Sequence, residues 1–365
     1  MTSIQNNKHS FNTIGLMSGT SLDGLDIAHC RFNLVNQQWS YKINHAETIA
    51  YTKEIKGKLR DGFSLNQLEL KELDFWFGTF QAESVNGFIQ KYSIEHLDAI
   101  CSHGHTIFHD PSKGLTLQIG NGAVMSNLTQ LPVINDFRTQ DVQLGGQGAP
   151  LVPIGDEMLF HEYDACLNLG GYANISSKIG DDRIAFDICP VNVVLNVFCT
   201  QLGLPYDDQG KIAKSGKSIP ELLKLLNSIS FYNENYPKSL GTEWLIAHIN
   251  PILKAFDQHP IPDLLHTCIE HFSQQISATL QKLNINTCLV TGGGTLNTFL
   301  IDKIKSTSQT KLVKGNSELI EYKEALIFAF LGVLKLKGQT NVLSSVTGAK
   351  EDHCSGRIYL PNSAR

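Results

Sequence analysis

The sequence predicts an α/β fold in which short buried strands alternate with helices and end in glycine-rich turns. An extended segment, a polar glycine turn and a second extended segment occur twice, at residues 14–24 and 166–174. A short apolar strand at 288–290 leads into three consecutive glycines and then into a helical pattern. Alternation of this kind is typical of sheets that are covered by helices and that bind ligands at the ends of their strands.

The length and composition of the chain fit two folded domains. Its 365 residues are enough to form two hydrophobic cores. A hydrophobic content of 42% and a charged content of 18% are typical of a globular protein rather than a disordered one. The formal net charge of −5, without a basic stripe, argues against nucleic acid as a partner. Eight cysteines without a Cys-x-x-Cys pair favour reduced core thiols over disulfides or a zinc site.

The chain shows neither an export signal nor a membrane span. Residues 1–12 are polar and have no apolar run behind a basic head, which predicts a cytoplasmic protein. The longest apolar run, 325–334, is shorter than the ~20 residues that cross a bilayer. We interpret this run as a buried helix.

Hydrophobic periodicity assigns the elements between the turns. Residues 13–34 are predicted to form a strand, a turn and a strand, because apolar side chains alternate along the second strand. Apolar residues recur every three or four positions in 64–91 and 268–283, which predicts two long helices. The glycine-rich stretch 145–150 is expected to be mobile and to lie near the change of domain. Further short strands are expected near 99–105, 115–119 and 133–138.

The first glycine turn, 18–24, has the composition of a phosphate-binding turn. It contains two glycines, three hydroxyl side chains and the carboxylate of Asp23. Glycine lets the backbone approach an anion closely, and successive N–H groups form a concave anion nest. A simple hairpin with a polar loop is the alternative, but the density of hydroxyl groups favours a nucleotide. Since no P-loop motif is present, we expect two hairpins to hold the nucleotide, with Asp23 a candidate for a hydrated magnesium ion.

Two further glycine turns are candidates for the same ligand. Gly170 and Gly171 are weak evidence alone, but they repeat the arrangement of the first hairpin. Gly292, Gly293 and Gly294 lie between a buried strand and the start of a helix. Unpaired N–H groups and the helix dipole favour phosphate at such a position, whereas the alternative is a flexible link.

Asp187 is the candidate general base. It lies at the end of an apolar strand next to a turn that contains Pro190. A carboxylate that faces a phosphate-binding cleft can take a proton from an attacking hydroxyl or water, a role worth ~10²- to 10⁴-fold in rate. Capping of a helix that begins near Val193 is an alternative that fits the spacing equally well.

Several other polar residues are open to two interpretations. His103, His105 and His109 could suggest a metal site, but the first two would point to opposite faces of an extended segment. They are therefore expected to line a cleft as polar residues. Lys238 and Ser239 are interpreted as solvated loop residues.

Eight motifs follow one another along the chain, at 18–24, 102–106, 136–138, 144–153, 168–171, 292–294, 324–326 and 345–349. This ordered series resembles the anhydro-N-acetylmuramic acid kinase family. The resemblance implies two ribonuclease-H-like domains of the actin-like ATPase superfamily, which close on ATP and Mg²⁺ with an amino sugar deeper in the cleft. It implies that water opens the anhydro ring while oxygen 6 takes the γ-phosphoryl group, in the recycling of peptidoglycan. It also implies a homodimer.

The resemblance also implies roles for individual residues. Asp187 would act on the attacking water, and Asp23 would hold the magnesium ion through water. The sugar would contact His103, Thr106, Asp136, Arg138 and Glu324. The nucleotide would contact Gly19, Thr20, Ser21, Leu22, Asp23, Gly24, Leu25, Asp26, Gly170, Gly171, Gly292, Gly293 and Gly294.

The chain departs from the family pattern around the proposed base. The usual run is Asp-Thr-Gly-Pro-Gly-Asn, whereas Ile188, Cys189 and Val191 replace a hydroxyl and two glycines here. His105 replaces the usual glutamine. These departures leave open a kinase for a different sugar that acts without ring hydrolysis, and an ATP-binding sensor with little turnover. A nucleotide-dependent chaperone or filament module is disfavoured, because no segment resembles a peptide-binding domain.

The sequence also predicts how the chain divides. The first ribonuclease-H-like domain is expected to comprise 1–140 and to be completed by 335–365. The second is expected to comprise 141–334.

Overall fold

The computed structural model describes residues 8–362, which form two compact units. The first unit ends at Leu159 and resumes at Tyr322, and the second is Phe160–Glu321. Residues 1–7 of the N-terminal segment from which we predicted a cytoplasmic protein lie outside the described residues. Among residues 8–362, no helix is both long enough and apolar enough to cross a membrane.

The strands belong to two sheets, one in each unit. They are β1 Ser10–Ser18, β2 Gly24–Val35, β3 Gln38–Ala50, β4 Ala99–Asp110, β5 Leu115–Ile119, β6 Val133–Asn135, β7 Ala165–Leu169, β8 Tyr172–Ile179, β9 Asp182–Pro190, β10 Thr287–Thr291, β11 Lys311–Lys314 and β12 Arg357–Tyr359.

Both long helices expected from periodicity are present, together with shorter ones. The α-helices are α1 Lys53–Asp61, α2 Gln67–Tyr92, α3 Gly122–Thr129, α4 Thr139–Gln143, α5 Pro153–Leu159, α6 Asn192–Gln201, α7 Lys211–Ser215, α8 Pro220–Asn227, α9 Thr242–Trp244, α10 Asn250–Lys254, α11 Ile261–Lys282, α12 Thr298–Thr307, α13 Ser317–Leu336 and α14 Ser344–Thr347.

The two sheets share one strand order. In the first unit the order is β12-β6-β4-β1-β2-β3, with β5 paired to β4. In the second it is β11-β10-β7-β8-β9. Strand β2 is antiparallel to β1 and β3, and β8 is antiparallel to β7 and β9. Strands β4 and β6 run parallel to β1, and β10 and β11 run parallel to β7. This repeated order is that of ribonuclease-H-like domains, so the predicted fold is confirmed.

Helix α13 packs closely against the sheet of the first unit. A Cβ atom at Gly15 of β1 would overlap the carbonyl oxygen of Ala325 in α13, so only glycine permits this approach. The apolar run 325–334, which we interpreted as a buried helix, forms the buried part of α13. Seven of the eight cysteines are likewise buried, as predicted for core thiols.

The units divide at other residues than those predicted. The first unit extends to Leu159 rather than residue 140, and it resumes at Tyr322 rather than residue 335. The physical reason is that α5 packs against α13, so both lie in the first unit. Lys323 forms a buried ion pair of 2.7 Å with Asp156, and Gly155 packs against the side chain of Ile327.

Candidate active site

The first glycine turn joins β1 to β2 and presents its polar side chains to solvent. Thr20, Ser21 and Asp23 are exposed, whereas Leu22 is half-buried in a left-handed conformation with a φ of 59°. The Leu22 N–H donates to the carbonyl of Gly19 over 3.2 Å, which closes the turn. Two of the three hydroxyl groups that suggested a phosphate site, those of Thr20 and Ser21, and the carboxylate of Asp23 are therefore accessible, whereas Ser18 is buried.

A buried hydrogen-bond network anchors the first turn. The Tyr51 hydroxyl donates to Ser18 Oγ over 2.6 Å, and Ser18 Oγ lies 2.9 Å from His105 Nδ1. Burial lowers the pKa of His105 to about 4, so the ring is neutral at physiological pH. His105, which replaces the glutamine usual in the family, is only 3% exposed, and its contact with Ser18 fixes the end of β1. It does not line a cleft as we had expected from the sequence.

Arg138 is the centre of a second network, formed at the ends of β4 and β6. Its Nε and Nη2 atoms lie 3.0 and 2.9 Å from His103 Nε2, and its Nη1 donates to the carbonyl of Gly148 over 2.5 Å. His103 Nδ1 lies 3.0 Å from the Gly104 carbonyl, so this nitrogen carries the proton and Nε2 is the acceptor. Burial and the charge of Arg138 hold the pKa of His103 well below its ordinary value. His103 is thus a neutral support behind the guanidinium.

The glycine-rich stretch 145–150 is tied down, which contradicts the expectation that it is mobile and close to the change of domain. Asp141, which is fully buried, accepts from the Gly148 N–H over 2.6 Å and from the Thr347 hydroxyl over 2.7 Å. The Gln147 N–H donates to the Thr347 carbonyl over 2.8 Å. Asp141 was not among the residues predicted from the sequence. Its position just before a loop rich in N–H donors was the available signal.

Asp136 and Thr106 are both partly accessible. Asp136 lies immediately after β6 with a φ of 58°, and its carboxylate forms an ion pair of 3.0 Å with Arg357. Thr106 accepts a long hydrogen bond of 3.4 Å from Gln118. Each side chain is therefore fixed at one end and can still reach a ligand.

Glu324 lies on α13 beside Lys323, whose ion pair with Asp156 fixes this turn of the helix. Its side chain is exposed to solvent. The surrounding protein nevertheless raises the pKa of Glu324, the charge of Arg138 opposes this shift, and the charge of Asp26 adds to it. Because the carboxylate is accessible, we attribute the shift to the density of protein around it rather than to complete enclosure. Arg138, Asp26 and Glu324 thus form one electrostatic group within the first unit.

The second unit brings the other two glycine turns together. Gly292 has a φ of 83°, and a Cβ atom there would lie 2.6 Å from Asn168 Oδ1 and 2.8 Å from the Leu169 carbonyl oxygen. The turn at 292–294 therefore adjoins the turn that contains Gly170 and Gly171. Only glycine can occupy this position without strain.

The residues of these turns fit a phosphate group. The hydroxyl oxygens of Thr291 and Thr295 are buried and have no hydrogen-bond partner within residues 8–362. Gly293 is exposed, with open space where a side chain would be. Buried polar atoms without partners are uncommon, and these two border the turn proposed to bind an anion.

Asp187 lies on β9 opposite Asn174 of β8 and is partly exposed. Its Oδ2 accepts from the Leu240 N–H over 2.7 Å, and its own N–H donates to the Lys238 carbonyl over 3.1 Å. Burial raises the pKa of Asp187, and the Leu240 N–H opposes the shift. The capping alternative is wrong, because α6 begins after Val191 without a side-chain cap.

The departures from the family pattern next to Asp187 all belong to the core. Ile188, Cys189 and Val191 are at most 2% exposed and pack in the hydrophobic core of the second unit. A bulge in the β8–β9 pairing lies at Ile188. The bulkier side chains therefore fill the interior and leave the carboxylate of Asp187 accessible.

Lys238 is not the solvated loop residue that we expected. It is half-buried, and its Nζ donates to the Phe231 carbonyl over 2.9 Å. No sequence pattern indicated this contact, because the chain returns to Phe231 through an irregular segment.

The comparisons with known proteins agree with the motifs. The profile of the anhydro-N-acetylmuramic acid kinase family matches residues 11–361. An anhydro-N-acetylmuramic acid kinase of Bacillus thuringiensis subsp. konkukian is 32% identical over 380 residues, which cover 95% of this chain and 99% of the relative. The kinase of the same description from Bacillus cereus strain ZK is 31% identical, with 95% and 98% covered.

Solved structures are similar to this chain only at low sequence identity and with TM-scores under 0.5. Component A of (R)-2-hydroxyglutaryl-CoA dehydratase from Acidaminococcus fermentans is 9% identical, with a TM-score of 0.48 over 89% of this chain and 99% of that chain. A glucokinase of the ROK family from Streptomyces griseus, in complex with glucose and AMPPNP, is 11% identical, with a TM-score of 0.39 over 88% of this chain and 98% of that chain. The fold assignment depends on the strand order that the two sheets of this chain share. The family assignment depends on the match along residues 11–361. The chain belongs to the anhydro-N-acetylmuramic acid kinase family.

Proposed function

We propose that this chain is an ATP-dependent kinase that opens 1,6-anhydro-N-acetylmuramic acid with water and phosphorylates oxygen 6. The observation that carries the proposal is the partly exposed carboxylate of Asp187 on β9, fixed by the backbone N–H of Leu240, in a member of this family. The product is N-acetylmuramic acid 6-phosphate, and the second product is ADP.

Asp187 acts as the general base in this proposal. It takes a proton from water as the water oxygen bonds to the anomeric carbon, and the bond from that carbon to oxygen 6 breaks. Oxygen 6 then takes the γ-phosphoryl group of ATP. A raised pKa makes the carboxylate a stronger base, provided that it is ionised at the working pH.

The sugar is proposed to contact Arg138, Asp136, Thr106 and Glu324. The guanidinium complements the lactyl carboxylate of muramic acid, because planar N–H donors suit a carboxylate. Asp136 and Glu324 supply acceptors for O–H and N–H groups of the sugar. For His103 we propose a supporting role through Arg138, since its accepting nitrogen is occupied by the guanidinium.

The three glycine turns are proposed to bind the phosphates of ATP. Backbone N–H groups and the hydroxyls of Thr20 and Ser21 are the expected donors. Residues 8–362 contain no cluster of three or more metal-ligating side chains, so Asp23 would hold Mg²⁺ through water. When bound, Mg²⁺ supplies neutralisation of the charge that develops on the phosphoryl group. Gly24 and Leu25, which the resemblance implied as nucleotide contacts, are buried at the start of β2, so we propose that they and Asp26 position this turn.

A coupled assay in oxygen-18 water tests the reaction. Purified protein with ATP, Mg²⁺ and the anhydro sugar is expected to release ADP and to place one heavy oxygen at the anomeric carbon. ADP release without the label would indicate phosphorylation without ring hydrolysis. Absence of ADP above background, while a relative from Bacillus cereus is active, would refute the proposed function.

We further propose a cytoplasmic homodimer, from the resemblance to the family. Light scattering of the purified protein is expected to give twice the 40.4 kDa mass of the chain. A monomer at micromolar concentration would contradict this expectation.

A further inference from the structure

Lys238 fixes an irregular segment of the second unit. Its Nζ donates to the Phe231 carbonyl over 2.9 Å and lies 4.4 Å from the centre of the Phe231 ring. The ring of Phe186, next to Asp187 in the chain, lies 6.0 Å from the same ammonium group. A cation above an aromatic face adds to the hydrogen bond. The side chain thus joins its own segment to Phe231 and to β9.

The segment that Lys238 fixes is in contact with Asp187 through the backbone. The Asp187 N–H donates to the Lys238 carbonyl over 3.1 Å, and the Leu240 N–H donates to Asp187 Oδ2 over 2.7 Å. Lys238, which bonds the Phe231 carbonyl, therefore lies two residues before Leu240, whose N–H donates to the carboxylate of Asp187. Any displacement of this segment changes the distance from the Leu240 N–H to Asp187.

We propose that Lys238 is a positioning residue, which holds the Leu240 N–H against the carboxylate of Asp187 during catalysis. This inference rests on the proposed function, in which Asp187 is the base. A hydrogen bond to the ionised form of a carboxylate favours that form, so the contact opposes the effect of burial. Without it, Asp187 would remain protonated to a higher pH.

Other ionisable groups also face Asp187. Tyr172, at the start of β8, and Cys189, which lies on β9 with Asp187, interact electrostatically with the carboxylate. Glu243 of α9 faces Tyr172, and Lys238 faces Cys189. Burial raises the pKa of Cys189 and of Tyr172, so both are neutral in the range in which a carboxylate titrates. A change in the acid limb that appears on substitution at Leu240 or Lys238 therefore reports on a carboxylate near these residues and not on Tyr172 or Cys189.

The sharpest test removes only the Leu240 N–H, by replacing Leu240 with its α-hydroxy acid so that an ester replaces the amide. We expect the acid limb of kcat against pH to move up by about one unit, the effect of a hydrogen bond to a charged group. The rate at alkaline pH should be retained, because the base is then ionised. Leu240→Ala keeps the N–H and should leave the limb in place. An unmoved limb in the ester variant would overturn the inference.

Lys238→Met tests the side chain itself. It should shift the acid limb in the same direction and lower kcat several-fold at pH 6, with KM for ATP unchanged. Lys238→Arg should restore much of the profile, and Lys254→Met, at an exposed position in the same unit, should match the wild type. An equal loss at every pH would mean a merely structural role and would refute the proposal.

The role of Asp187 as the base and the positioning role of Lys238 can be refuted separately. Full activity of Asp187→Asn would refute the proposed base, whatever Lys238 does. An inactive Asp187→Asn together with a wild-type profile in Lys238→Met would refute the positioning role alone.

Discussion

The candidate residues of the two units are held in different ways. In the first unit, side chains hold them: His103 supports Arg138, and the ion pair of Lys323 with Asp156 fixes the helix turn that carries Glu324. In the second unit, one backbone N–H holds the carboxylate of Asp187. A side-chain network fails when any member is removed, whereas a backbone contact survives most substitutions. We therefore expect substitutions in the first unit to weaken folding and sugar binding, and substitutions in the second unit to slow the chemical step.

The largest expected effect is that of Asp187→Asn. Loss of a general base should lower kcat by ~10²- to 10⁴-fold while ATP binding is retained. The measurement is steady-state kinetics together with nucleotide titration by calorimetry. Asp182→Asn, at an exposed position on the same strand, is the matched control and should match the wild type. Loss of ATP binding in Asp187→Asn would show that the carboxylate has a role in folding or in nucleotide binding.

Lys323→Met should be the most damaging substitution for the stability of the first unit. It leaves Asp156 buried without its cation, which costs about 3–5 kcal/mol of unfolding free energy. Lys211→Met removes an ion pair with Asp208 in which both side chains are more than half exposed, and it should cost no more than about 1 kcal/mol. Urea unfolding of the two variants measures the difference. Equal costs would mean that the buried pair adds nothing to the first unit.

His103→Leu should weaken sugar binding without affecting ATP. The guanidinium of Arg138 would lose its acceptor, and a contact of this kind to a charged group is worth about 1.5–3 kcal/mol, or roughly a tenfold or greater rise in KM for the sugar. His105→Gln is the control, because the glutamine usual in the family can still bond Ser18. Its KM should stay within about twofold of the wild type. A rise in KM for ATP in His103→Leu would contradict the assignment of Arg138 to the sugar.

The sequence predicted most of the fold but less of the candidate site. Strands, glycine turns and the buried part of α13 follow from local periodicity, which is why they were found. Asp141 and Lys238 were missed because their partners, Thr347 and Phe231, are brought to them only by tertiary structure. For the same reason His105 was predicted to line a cleft: the local pattern indicated a polar strand end, but the tertiary structure buries its ring against Ser18.

A further expected effect concerns acid stability, and it compares the units directly. Burial lowers the pKa of His29 and of His105 to about 4, and it holds that of His103 well below its ordinary value. All three belong to the first unit. In the second, burial lowers the pKa of His271 to about 3.

Between about pH 4 and pH 6.5 the unfolded chain binds protons that these folded histidines do not bind. The unfolding free energy therefore falls as pH decreases through this range, by at most ~1.4 kcal/mol per pH unit for each histidine. The raised pKa values of Glu324 and Asp187 have the opposite sign, since the folded state then binds the proton more readily, but each unit contains one. Hydrogen exchange at pH 5 and pH 7, corrected for intrinsic rates, should therefore show the greater loss of protection in the first unit. His29→Gln should reduce that loss and leave the second unit unchanged, whereas equal losses in both units would show that the three buried histidines do not control the acid stability of the first.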